Sequence, residues 1–145
     1  MAREEALNAV HLSTPRLVLR ELDESDATAA NAWESDPEVV RYLTFGVHSV
    51  AQTAEYIREI RRAASVMPRA LFDLGVERRD DGLLIGRVGL NVRRRELREA
   101  EVWSVFRRHS HGHGYATEAT RALIAFGFDT LGLHRVMADC DPRNT

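Results

Sequence analysis

The run His109-Ser110-His111-Gly112-His113-Gly114-Tyr115-Ala116-Thr117-Glu118 gathers the residue types most able to do chemistry in this chain. Gly112 and Gly114 stand one residue apart, directly before a segment with helical spacing. Lacking side chains, they let backbone N–H groups approach an anion closely, and the start of a helix adds a partial positive charge. The same pair also suits a plain turn, where glycine serves only sterics. The loop departs from the dinucleotide fingerprint, because no third glycine falls three residues beyond Gly114. It departs from the P-loop in lacking the Gly-Lys-Ser/Thr ending. His109, His111 and His113 alternate as zinc ligands can, but a flexible loop without a nearby acidic or Cys ligand makes a poor site, and no metal is expected.

The flanking sequence supplies the elements that must hold this loop. Residues 16–22 alternate Leu17 and Leu19 with Arg16, Arg20 and Glu21, which predicts a strand, after a loosely held lead-in over 1–13. Asp23, with Asp26 three residues on, caps a helix carrying Ala27, Ala30 and Trp33, and Asp36-Pro37 ends it. Ser49 and Gln52 form a capping box for a second helix with Ala54, Ile57 and Ala64 on one face, closed by Met67-Pro68. Residues 70–78 and 83–92 read as a hairpin around Asp80-Asp81-Gly82, and a basic turn leads to a fourth strand over 97–106. A long helix over 115–131 follows, with Ala116, Ala119, Leu123 and Phe126 inward and Gly132 as its left-handed terminator. A fifth strand over 135–140 comes at once. Strand, helix and strand on short links imply a parallel pair, so the sheet is mixed and the fold class is α/β.

Bulk properties set limits. The chain has 145 residues, room for one core, with 44% hydrophobic and 29% charged residues. Net charge is -2, which gives no global field for nucleic acid, and runs such as Arg93-Arg94-Arg95 read as solvated faces. All 20 basic side chains are Arg. The single cysteine, Cys140, cannot form an intramolecular disulfide, and its apolar neighbours suggest a buried small hydrophobe. The first residues do not read as a signal peptide, and no stretch approaches the roughly 20 apolar residues of a membrane span, so a cytoplasmic location is expected.

Six motifs in order carry a wider resemblance: Thr14-Pro15-Arg16-Leu17-Val18-Leu19-Arg20, Ile85-Gly86, Ala100-Glu101, Gly112 to Ala119, Leu131-Gly132-Leu133-His134-Arg135 and Asp141-Pro142-Arg143-Asn144. Together they resemble the GNAT superfamily of acetyltransferases, in the branch of ribosomal-protein N-terminal acetyltransferases, over residues 13–145. The loop is similar to the family's acetyl-CoA signature, Gln/Arg-x-x-Gly-x-Gly/Ala, with His109 at its first position and His113 between the glycines.

The resemblance implies acetyl-CoA as cosubstrate and a primary amine as acceptor, with a protein N-terminal α-amine favoured. Main-chain groups of Trp103, Ser104, Val105 and Phe106 would hold the pantetheine arm. Amides of Gly112, His113, Gly114, Tyr115 and Ala116 would hold the diphosphate. The Thr117 hydroxyl is either an added donor or a helix-surface group. Glu101 is the candidate base, perched between that role and a salt bridge to an Arg, and Glu118 is expected to face a neighbouring Arg. Asn144 resembles the residue that positions pantetheine or a proton-carrying water. The serine three residues beyond it is not reached by this sequence, so the resemblance implies a GNAT domain over 14–145 short of its last helix and two strands. The open edge this would leave suggests a homodimer. The alternatives are a catalytically impaired CoA-binding module, a structural or oligomerisation role without CoA, and an acetyltransferase for a small amine such as a polyamine or aminoglycoside.

Imidazoles at the two basic motif positions make phosphate attraction pH-dependent. CoA affinity is expected to fall as pH rises through about 6 to 8, read by titration calorimetry at constant salt. A flat profile would count against any role for His109 and His113 in binding.

Overall fold

The computed structural model describes residues 9–41 and 47–138. Six strands form one sheet in sequence order: β1 (His11–Ser13), β2 (Leu17–Glu21), β3 (Leu71–Arg78), β4 (Leu84–Arg94), β5 (Glu99–Phe106) and β6 (Arg135–Ala138). The first five run antiparallel to their neighbours, and β6 pairs parallel with β5 from Glu99↔Arg135 to Val102↔Ala138. The helices are α1 (Ala27–Glu34), α2 (Pro37–Val40), α3 (Val50–Ala64) and α4 (Tyr115–Asp129).

Two expectations need correction. Ordered pairing begins at His11, inside the supposed lead-in. Val10 is buried and its amide donates to Glu21 Oε2 at 2.9 Å, but three residues are too few to display an alternation. Pro37 does not simply end a helix. It occupies the first turn of α2, where a missing N–H costs nothing, and Asp36 caps that turn through the Glu38 amide at 3.0 Å. The two capping signals act as read. Asp23 and Asp26 form a capping box on a 3-10 turn that feeds α1, and Ser49 and Gln52 form another on α3.

Each face of the sheet buries its own apolar cluster. Ala119, Leu123 and Phe126 of α4 pack on Leu19, Leu74, Leu90 and Val102. Ala30 and Trp33 of α1 with Ile57 and Ile60 of α3 cover the other face, against Leu84 and Val105. Ala116, placed with the inward stripe by its spacing, is exposed in the first turn of α4. At Gly89 an added Cβ would lie 2.1 Å from Trp103 Cε2, so the missing side chain makes room for the indole.

An ionic knot ties α1 and α3 to the sheet. Arg87 donates to Glu34 Oε1 at 2.9 Å and to Asp73 Oδ2 at 3.0 Å, and the Tyr56 hydroxyl donates to the same Asp73 oxygen at 3.0 Å. The guanidinium also lies 4.8 Å from the Tyr56 ring centroid. Burial pushes the Asp73 carboxyl above its ordinary value, and the charge of Arg87 opposes that only in part. Removing the guanidinium leaves two buried acids without their shared cation. Arg87→Met is expected to lower stability by about 3–5 kcal/mol in chemical denaturation. A raised folded-state pKa means that stability is lost as pH climbs from the ordinary aspartate value, so Asp73→Asn should gain on the wild type over that rise.

Candidate active site

α4 begins without a side-chain cap. Its N-cap is Gly114 at φ 78°, and Gly112 precedes it at φ 84°. Both lie in the left-handed region, which costs an ordinary L-residue roughly 1–2 kcal/mol and costs glycine almost nothing. The first intrahelical bond runs from the Glu118 amide to the Gly114 carbonyl at 3.0 Å. The amides of Tyr115, Ala116 and Thr117 therefore have no helical acceptor, and none among the other described residues.

The three residues that carry these amides line a cavity of ≈ 510 Å³. Ser104, Val105 and Phe106 at the end of β5 form one wall, and Glu38 and Val39 of α2 form another. The floor is Ser110, His111, Gly112 and Gly114, with Tyr115, Ala116 and Thr117 completing the rim. Arg108 fastens α2 to the loop, donating to Asp36 Oδ2 at 3.1 Å and to Oδ1 at 2.5 Å. That guanidinium holds the Asp36 carboxyl below the usual range. His111 Nε2 lies 2.9 Å from the Phe106 carbonyl, and since a carbonyl only accepts, this nitrogen carries the hydrogen.

Eight of the residues proposed from sequence thus converge on one cavity: Ser104, Val105, Phe106, Gly112, Gly114, Tyr115, Ala116 and Thr117. Three others do not line it. The Trp103 indole lies over Gly89, His109 is exposed, and the His113 ring packs against Tyr115 with centroids 5.6 Å apart. Glu101 sits three residues back along β5, its carboxylate accepting from Arg93 Nη1 at 2.7 Å. Asn144 and Cys140 lie outside the described residues. Glu118 turns from the cavity toward Arg16, whose Nε donates to it at 2.7 Å.

Sequence reasoning missed Glu38, Val39, Ser110 and His111 as lining groups. The α2 pair carries no chemical pattern of its own, and the tie from Asp36 to Arg108 joins it to a loop far along the chain. His111 was visible as one of three alternating histidines, but its bond to Phe106 depends on how the loop folds back on β5.

No helix among the described residues is long and apolar enough to cross a membrane. The acetyltransferase (GNAT) domain family matches residues 16–145. An uncharacterised N-acetyltransferase, p20 of Bacillus licheniformis, is 33% identical over 135 residues, covering 92% of this chain and 75% of its own. Another, YnaD of Bacillus subtilis, is 30% identical over 136 residues, covering 93% and 75%. Among solved structures, a GNAT-family acetyltransferase from Bacillus anthracis superposes with a TM-score of 0.81 at 26% identity, over 93% of this chain and 76% of that one. A Vibrio cholerae protein provisionally described as a ribosomal-protein-serine acetyltransferase gives 0.80 at 24% identity, over 92% and 75%. RimJ of Mycobacterium smegmatis, solved with CoA-disulfide, gives 0.73 at 22% identity, over 94% and 69%. A mixed sheet with one parallel pair, an uncapped helix start at the mouth of a cavity and a family match over nearly the whole length agree: the chain belongs to the GNAT acetyltransferase family and is an acetyltransferase.

Proposed function

We propose that this enzyme moves an acetyl group from acetyl-CoA to a primary amine, and that its preferred acceptor is the α-amine of a protein N-terminus. The observation that carries the donor assignment is the uncapped start of α4, whose first amides meet no acceptor among the described residues and whose first residues line a cavity bounded by β5. Unpaired N–H groups and the helix dipole suit a diphosphate, which brings negative charge and many acceptor oxygens. The CoA-disulfide in the mycobacterial neighbour supports the same reading. The acceptor preference draws on the motif pattern and on the description of the Vibrio cholerae neighbour.

In this reading the amides of residues 112–116 hold the diphosphate, with the Thr117 hydroxyl as an added donor. The main chain from Trp103 to Phe106 supplies donors and acceptors for the pantetheine arm. The arm then leads back along β5 toward Glu101, three residues before Ser104 and about 10 Å from it along an extended strand.

N-acetyl transfer requires a neutral amine nitrogen to attack the thioester carbon. The C–N bond forms, the C–S bond breaks, the amine loses a proton and the departing sulfur gains one. Glu101 would take the amine proton through a water. Its side chain is partly exposed and paired with Arg93. Asn144 would orient the arm or the proton-carrying water. The histidines act in this scheme through His111, which borders the cavity, more directly than through His109 or His113.

CoA at a hundredfold over its Kd should add about 2.7 kcal/mol of stability, a rise in Tm of roughly 5–10 °C. No shift with any CoA thioester would remove the donor assignment. Glu101→Gln is expected to reduce kcat by about 100-fold with little change in KM for acetyl-CoA. An acceptor screen by thiol release should favour peptides with a free N-terminus over polyamines and aminoglycosides. Binding without turnover on any amine would instead identify a CoA-binding module.

A further inference from the structure

Arg16, immediately before β2, is bound to the loop almost a hundred residues later. Its Nη1 donates to the His113 carbonyl at 2.9 Å, and its Nε donates to Glu118 Oε1 at 2.7 Å. Its own amide donates to Glu118 Oε2 at 2.9 Å, an oxygen that also accepts from the Thr14 hydroxyl at 2.5 Å. The guanidinium lies 4.5 Å from the centroid of the Tyr115 ring. One side chain thus touches the residue ahead of the N-cap, the first helical residue and the fourth.

The peptide between His113 and Gly114 is the key unit. In a trans peptide the carbonyl and the following N–H point in opposite directions. Drawing the His113 oxygen onto Arg16 therefore turns the Gly114 N–H away from Arg16. Arg16 is absent from the walls of the cavity at β5, whereas Gly114 borders both that cavity and the groove on the Arg16 side. With glycine at position 114 the peptide could rotate at little steric cost, and a reversed plane would set a carbonyl oxygen where an anion must bind.

Glu118 poses a second problem that the same contact solves. A carboxylate in the first turn of α4 competes with a bound anion for the helix's positive end. Here both of its oxygens are occupied by Thr14 and Arg16, and its charge is matched by the guanidinium. Burial pushes the Glu118 carboxyl up, and the hydrogen bonds from Thr14 and Arg16 more than reverse that, leaving it below its ordinary value.

We infer that Arg16, held by Glu118, is a positioning residue that fixes the 113–114 peptide so that the diphosphate cradle is formed before any donor arrives. The inference rests on the acetyl-CoA reading above. Arg16 itself reaches no ligand in this account, and its charge is spent on Glu118.

The test compares Arg16→Ala, Arg16→Lys and Glu118→Gln with the wild type, using CoA and pantetheine as probes and acetyl-CoA with the best amine as substrates. Arg16→Ala should raise KM for acetyl-CoA about tenfold and leave kcat within about twofold, because the flaw is in ground-state binding. The ratio of CoA to pantetheine affinity should fall by a similar factor, since pantetheine lacks the diphosphate. Lys keeps the charge but lacks the fork that spans Glu118 and the His113 carbonyl together, so Arg16→Lys should resemble Arg16→Ala. Full rescue by Lys would overturn the inference and make Arg16 a simple attracting charge. Unchanged KM in Arg16→Ala would overturn it outright. Should that variant not fold, Glu118→Gln gives the same reading, with a KM increase of about threefold expected and none overturning it. Failure of the wild type itself to bind CoA would defeat the acetyl-CoA reading, a result distinct from all of these.

Discussion

A helix leaves the N–H groups of its first turn without carbonyls to meet, and most chains cover that deficit with a side chain. Here α4 starts from a glycine that cannot cap it. Every other feature of the site depends on this uncovered deficit. The end of β5 and the short α2 wall in the space before the amides. Arg108 keeps α2 against the loop, and Arg16 keeps the loop against β2. The helix start is left open, and the surrounding contacts hold its opening in shape.

The sheet separates two kinds of packing. On the α4 side, Leu, Val, Ala and Phe meet with almost no polar interruption. On the other, Arg87 lies between Glu34 and Asp73 beneath Tyr56, within an otherwise apolar layer formed by α1 and α3. Apolar contact is indifferent to small slides, whereas an ion pair with fixed hydrogen bonds admits one arrangement. The knot thus sets α1 and α3 relative to β3 and β4. α2 follows α1 by only two residues, so its place at the cavity is inherited from that registration.

Much of this was legible beforehand, and the reasons differ by element. The strands, the caps at Asp23 and Ser49, and the Gly132 terminator are local matters of alternation, spacing and backbone freedom. The loop around Gly112 and Gly114 was legible because its backbone requirement is written into residue type. β1 was too short to show a pattern. The cavity's α2 wall and the Arg16 contact were not legible, because each joins segments far apart in the chain. Glu118 could be expected to meet an arginine, but with 20 arginines to choose from, spacing alone could not say which. Glu101 illustrates the same limit: both of its readings, base and salt-bridge partner, were written into one residue, and the bond to Arg93 came from the turn that precedes β5.

The bond between Arg16 and His113 also bears on the order of events during synthesis. Its two ends are 97 positions apart, so the loop has high contact order by construction. A nascent chain can form α1, α3 and the β3–β4 hairpin while α4 is still unmade. The proposed cradle cannot take its final shape until α4 has been made and has docked back beside β2. Binding competence is therefore a late acquisition in the life of the chain, arriving with closure of the sheet's α4 side.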